Sequence, residues 1–126
     1  MDRLTGLFIP KVILQDEALS MSAKLILSEI HYLDGENGCY ATNAHLWDLV
    51  GLSNRQVSYL IKRLRGSGHI EWIPNEANRA WRTLHSNVQL DEQDAAILNF
   101  EREQTEAARR FMAGGRERDG VGYDDF

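Results

Sequence analysis

Residues 42–65, TNAHLWDLVGLSNRQVSYLIKRLR, decide the fold. Leu46, Leu49 and Val50 recur at helical spacing behind Thr42, a residue type that caps helix starts. Gly51 follows at once, where a helix commonly ends in a left-handed residue. Ser53 opens a second helix, and Gln56 three residues on completes a capping box. Val57, Leu60, Ile61 and Leu64 stand at i, i+3, i+4 and i+7, which at about 100° per residue makes one face. Arg55, Tyr59 and Lys62 lie opposite, flanked by Ser58 and Arg63. Two short helices joined by a tight turn at 51–53 are expected. The second turns one face to a core and the other to a polar partner.

Upstream, GLFIPKVIL (6–14) is extended in character. Pro10 has no N–H for a sheet ladder, so an edge strand or lead-in is expected there. DEAL (16–19) reads as a single turn. Ser20 or Ser22 caps a helix over 22–33 whose apolar stripe is Ala23, Ile26, Leu27, Ile30 and Leu33. Lys24, Ser28, Glu29 and His31 lie off that stripe. DGENG (34–38) is a loop signal, and 39–41 reads as a very short strand.

Downstream, GSG (66–68) ends the second helix of the pair. HIEWI (69–73) alternates, PNEAN (74–78) is a turn cluster, and RAWRTLH (79–85) alternates again, so 69–85 reads as a β-hairpin. The expected fold class is mainly α with a small β-hairpin (α+β), in the outline of a winged helix-turn-helix. Residues 87–90 link to a charged helix over 91–112. Its thin apolar stripe is Ala96, Ile97, Phe100, Ala107, Ala108 and Phe111, and the helix is expected to dock on the domain, pair with a second copy or stay partly ordered. AGGRERDGVGYDDF (113–126) is Gly-rich and charged and is expected to be disordered. Three regions follow: a winged-helix domain over 1–86, the linker and charged helix over 87–112, and an acidic tail over 113–126.

The chain has 126 residues, 43% of them hydrophobic, enough for one compact domain and a tail. Its apolar runs are too short to span a bilayer, and the start lacks the pattern of a secretory signal. The lone Cys39 can form no internal disulfide, which fits a reducing cytoplasm. Cys39, His31, His45, His69 and His85 have no metal-ligand spacing. A phosphate loop and a paired acid/base constellation are missing as well, so no enzyme, metal or cofactor is expected.

The net charge is −5, but its distribution matters more. Residues 1–86 hold nine Lys/Arg and nine Asp/Glu, whereas 87–126 hold five Arg and ten Asp/Glu. Within 53–82, six bases (Arg55, Lys62, Arg63, Arg65, Arg79, Arg82) face two acids (Glu71, Glu76). Positive charge is concentrated in the second helix of the pair and the hairpin, a pattern suited to a polyanion.

The run FIPKVILQDEALSMSAKLILSEIHYLDGENGCYATNAHLWDLVGLSNRQVSYLIKRLRGSGHIEW (8–72) resembles the N-terminal winged-helix domain of phage and plasmid replication initiators, or replisome organisers. The matching features are the lead-in before Leu19-Ser20, the Ser22-Ala23-Lys24 helix start and the loop to Tyr40. They continue in Leu46…Val50-Gly51-Leu52-Ser53, Val57…Leu60…Leu64 and Gly68-His69-Ile70. The resemblance covers about residues 7–86. It implies sequence-specific binding of double-stranded DNA in replication initiation at an origin. Transcription regulators share the skeleton, so operator binding is the alternative. A protein-interaction adaptor using the winged helix and the acidic C-terminal helix is a third reading.

Under this resemblance the helix after Ser53 enters the major groove. Arg55 is placed for guanine, and Asn54, Gln56 and Ser58 read bases or hold phosphate. Tyr59 and Lys62 lie along the groove. Lys62, Arg63 and Arg65 hold phosphates, which gives affinity without sequence information. Thr42 and Asn43 begin a helix whose N–H groups can cap a phosphate. Arg79 and Arg82 reach the backbone or the adjacent minor groove, or pair across the hairpin with Glu71 or Glu76. Trp47, Trp72 and Trp81 are packing residues. The tail end Tyr123, Asp124, Asp125 and Phe126 is similar in kind to the acidic, Phe-ended tail of bacterial single-stranded-DNA-binding proteins. That likeness implies docking on a replication partner. The expected partners are thus duplex DNA, a second copy through 91–112, and a replication protein, with no membrane.

Overall fold

The structure, a computed structural model, describes residues 7–34, 38–77 and 82–119, with backbone alone for 109 and 112–119. In chain order the elements are α1 (Lys11–Leu14), α2 (Met21–Leu33), α3 (Asn43–Val50), α4 (Asn54–Gly66), β1 (Ile70–Pro74), β2 (Arg82–Ser86) and α5 (Glu92–Asp119). Three helices followed by a two-stranded antiparallel hairpin make a winged helix-turn-helix.

The capping residues set the boundaries. The Ser20 side chain accepts from the Ala23 N–H and Thr42 from the His45 N–H. Ser53 and Gln56 form the reciprocal capping box, at 3.2 and 2.9 Å. Gly51 closes α3 at φ +75°, in the left-handed region that glycine enters without steric cost. Its N–H donates to the Trp47 carbonyl at 2.8 Å, so the turn between α3 and α4 is tight.

Two expectations change at the N-terminal end. Lys11–Leu14 is a short helix, not an edge strand. Pro10 stands just before it, and the Ile13 and Leu14 N–H groups bond back to the Pro10 carbonyl. Proline's missing donor costs nothing at a helix start. The second change is in α2, where Ser28 and Glu29 are buried along with Ala23, Ile26, Leu27 and Ile30. α2 is the central helix, touched by α1, α3, α4 and β2, so a second face leaves water. His45 on α3 meets the buried Glu29 carboxylate at 2.8 Å.

The core joins Ile13, the α2 stripe, Cys39, Leu46, Val57, Ile61, Leu64, Ile70 and Leu84. The expected strand at 39–41 is a single bridge, Cys39 to Leu84, with hydrogen bonds of 2.8 and 2.9 Å in both directions. It hangs the base of the wing on the chain between α2 and α3. Gly38 beside it has φ +86°, and a Cβ there would run into Thr83 Cγ2. In the hairpin, Glu71 lies opposite His85 and Arg82 opposite Pro74. The expected cross-strand pairing of Arg82 with Glu71 is therefore not formed.

α5 docks by its polar groups. Arg102 donates to the last carbonyls of α2, His31 O at 2.9 Å and Tyr32 O at 2.7 and 3.0 Å. Asp94 accepts from the Lys11 N–H at the start of α1, at 2.6 Å. Each charge sits at the helix end whose dipole it complements. Among the described residues of α5, Asp94, Leu98 and Thr105 are buried. The expected stripe is left outside, with Ile97, Phe100 and Phe111 at 41, 61 and 75% exposure. The helix is also continuous past 112, to Asp119. Residues 120–126, with the remainder of the expected disordered tail, lie outside the described residues. Among the described residues, no helix is long and apolar enough to cross a membrane, and no cluster of His, Cys, Asp or Glu could hold a metal ion.

Candidate nucleic-acid interface

Burial of Val57, Ile61 and Leu64 fixes the rotation of α4 about its axis. Arg55, Tyr59, Lys62, Arg63 and Arg65 are consequently exposed. At about 100° per residue, Arg55, Tyr59 and Lys62 fall within an arc of about 60°. The helix NRQVSYLIKRLRG carries four cations and no acid, in a chain of net charge −5. Arg55 and Lys62 make no hydrogen bond or ion pair among the described residues. Arg63 donates to the Tyr59 hydroxyl at 3.0 Å and lies 5.7 Å from the centre of its ring. That pair lines one edge of the face. Gln56 uses its carbonyl in the capping box, so its amide N–H₂ remains for a partner.

Other expected contact residues are bonded to one another. Asn43, the first residue of α3, donates to Ser58 Oγ at 2.9 Å and lies 3.5 Å from Asn54 Oδ1. The Asn43 carbonyl accepts from the Arg82 guanidinium at 2.8 Å. Arg82 is half-buried, its Cζ 5.5 Å from the centre of the Trp72 ring. Arg65 stands over the same ring at 5.4 Å. Burial pulls the Arg82 guanidinium below its ordinary pKa. Thr42 is exposed as the cap of α3. Arg79 and Trp81, and the tail residues Tyr123, Asp124, Asp125 and Phe126, lie outside the described residues.

A second feature was not foreseen from the sequence. A cleft of about 350 Å³ between the start of α2 and α4 is lined by Leu19, Ser20, Tyr59, Leu60, Arg63 and His69, among others. On its rim Ser67 Oγ lies 2.6 Å from His69 Nδ1, and His69 Nε2 lies 2.9 Å from Asp16 Oδ2. The order is that of a Ser-His-Asp hydrolase site. The Ser67 hydroxyl, however, donates to the Leu64 carbonyl at 3.1 Å. The three residues close the end of α4 onto the turn before α2. Their spacing of 16, 67 and 69 gives no hint of this in the sequence.

No family model matches the chain, and no curated protein matches it, so neither supports the resemblance to replication initiators. Among solved structures the chain is similar to FabT of Streptococcus pneumoniae in complex with DNA. Identity there is 15%, over 88% of this chain and 68% of that one, with a TM-score of 0.47. It is similar to the transcriptional regulator Tm0710 from Thermotoga maritima, with 20% identity over 87% and 72% of the two chains and a TM-score of 0.46. It is also similar to a MarR mutant from E. coli complexed with operator DNA, with 16% identity over 75% and 61% and a TM-score of 0.44. At these identities and TM-scores the likeness carries no information on what this chain binds.

Proposed function

We propose that the chain binds duplex DNA in a sequence-specific manner, with α4 in the major groove. The observation that supports this most is the exposed, acid-free face of α4, where Arg55 and Lys62 have no partner among the described residues. Arg55 near the N-terminus of α4 reads a base edge, and Lys62, Arg63 and Arg65 neutralise phosphates. Operator binding by a transcription regulator is the preferred reading within this proposal. It needs only a reading helix and a second copy. Replication initiation at an origin also needs contact with a replication protein, and the residues expected to make it are outside the described part of the chain. Selection of bound sequences from a random duplex pool tests the proposal. A single palindrome supports an operator and direct repeats an origin. No enrichment, with a protein partner co-purifying instead, favours the adaptor.

The proposal includes a homodimer through α5. Its exposed Ile97, Phe100 and Phe111 form the apolar side of a helix already docked by its other side. A second copy covering them would place two α4 helices on paired half-sites. Replacing Phe100 and Phe111 by Ser should shift sedimentation from dimer to monomer. A wild-type chain that sediments as a monomer at every concentration overturns this part.

A further inference from the structure

Arg82 is placed where a wing cation would be expected to touch DNA, yet its bonds run inward. From the first residue of β2 it reaches Asn43 on α3, and Asn43 reaches Ser58 and Asn54 on α4. The Trp72 ring from β1 carries both Arg82 and Arg65. One guanidinium thus ties the hairpin to both helices of the helix-turn-helix. Its other contact is the Trp72 ring, whose centre lies 5.5 Å from Cζ, and lysine would bring a single ammonium where arginine brings a fork of donors. We propose that Arg82 is a positioning residue, not a phosphate contact: it sets the angle between wing and α4 and the rotamers of Asn43 and Ser58. Through these it governs which sequences the α4 face accepts. The inference rests on the reading of α4 as a DNA-binding helix.

The two roles differ in what they do to salt dependence. A phosphate contact adds about 0.9 to the magnitude of the slope of log K against log salt, and its loss weakens all sequences alike. A positioning residue leaves the slope unchanged and lowers discrimination. The experiment measures binding of the full chain to a selected duplex and to a random duplex across a salt series, for wild type, Arg82→Gln, Arg82→Lys and Asn43→Ala. All three variants should keep the wild-type slope. They should also lose about tenfold of the preference for the selected duplex, the order of one misplaced base contact. Arg82→Gln combined with Asn43→Ala should lose no more than either alone, because both act through one network. Arg82→Lys that restores full preference, or Arg82→Gln that lowers the slope by about 0.9 with preference intact, overturns the positioning role and leaves DNA binding standing. A wild-type chain that retains no duplex at low salt overturns the DNA reading, and this inference with it.

Discussion

Replacing Arg102 by Ala should loosen α5 and cost about 2 kcal/mol of stability. Two carbonyls at the end of α2 receive its guanidinium, at 2.7–3.0 Å. Charge-assisted bonds of this kind are worth about 1.5 kcal/mol each at a half-open site, where water can replace part of the loss. Holding the long side chain in place costs about 1 kcal/mol in rotamer freedom, which leaves about 2 kcal/mol. Helix propensity does not contribute, since alanine is at least as good a helix former as arginine. With a urea slope of about 2 kcal/mol/M for a chain of this size, the midpoint should fall by about 1 M. Amide exchange in α5 should accelerate more than exchange in α2 or α4. Arg102→Lys should recover about half, as a single ammonium can bond the carbonyls without the fork. A midpoint shift under about 0.2 M for Arg102→Ala would show that α5 is held by something other than these bonds.

Two further outcomes follow from the titrating groups. Burial pushes the Cys39 thiol up to about 11; with so little thiolate at pH 8, Cys39 should resist a thiol-specific disulfide reagent in the folded chain and react at once in denaturant. Burial, and secondarily the charge of Arg102, holds His31 below its ordinary 6.5. A base depressed in the folded state contributes full stability above 6.5 and loses it as pH falls toward the folded value. Asp16, lowered first by its hydrogen bond to His69, adds a second loss only below 3.8. Urea midpoints should therefore drop as pH is lowered from 6.5 toward 5, and His31→Gln should flatten that drop while leaving the one below 4. An unchanged profile in His31→Gln would show that His31 does not drive it.

Local signals in the sequence carried most of the winged helix. The Ser53–Gln56 box, the Gly51 stop and the Val57-Leu60-Ile61-Leu64 face each act within one turn, so their spacing is visible in the chain. The hairpin ends were legible to about a residue, because alternation and turn residues mark them. Long-range choices were not legible. Glu29 reads as a surface residue until His45 is brought against it. The apolar stripe of α5 is visible in its spacing, but Asp94 and Arg102 meet helix ends that periodicity cannot see. Asn43, Ser58 and Arg82 were recognised as polar groups near the reading helix. Nothing in their order shows that they bond to one another.

The central claim is that α4 reads duplex DNA. Its most direct test is the affinity of wild type and Arg55→Ala for a selected duplex across a salt series. Three phosphate contacts, from Lys62, Arg63 and Arg65, predict a slope of about −3 in log K against log salt for each chain bound. Arg55→Ala should weaken the selected duplex by about 1–3 kcal/mol and the random duplex far less. Affinity independent of salt, or equal loss on both duplexes, would contradict the account.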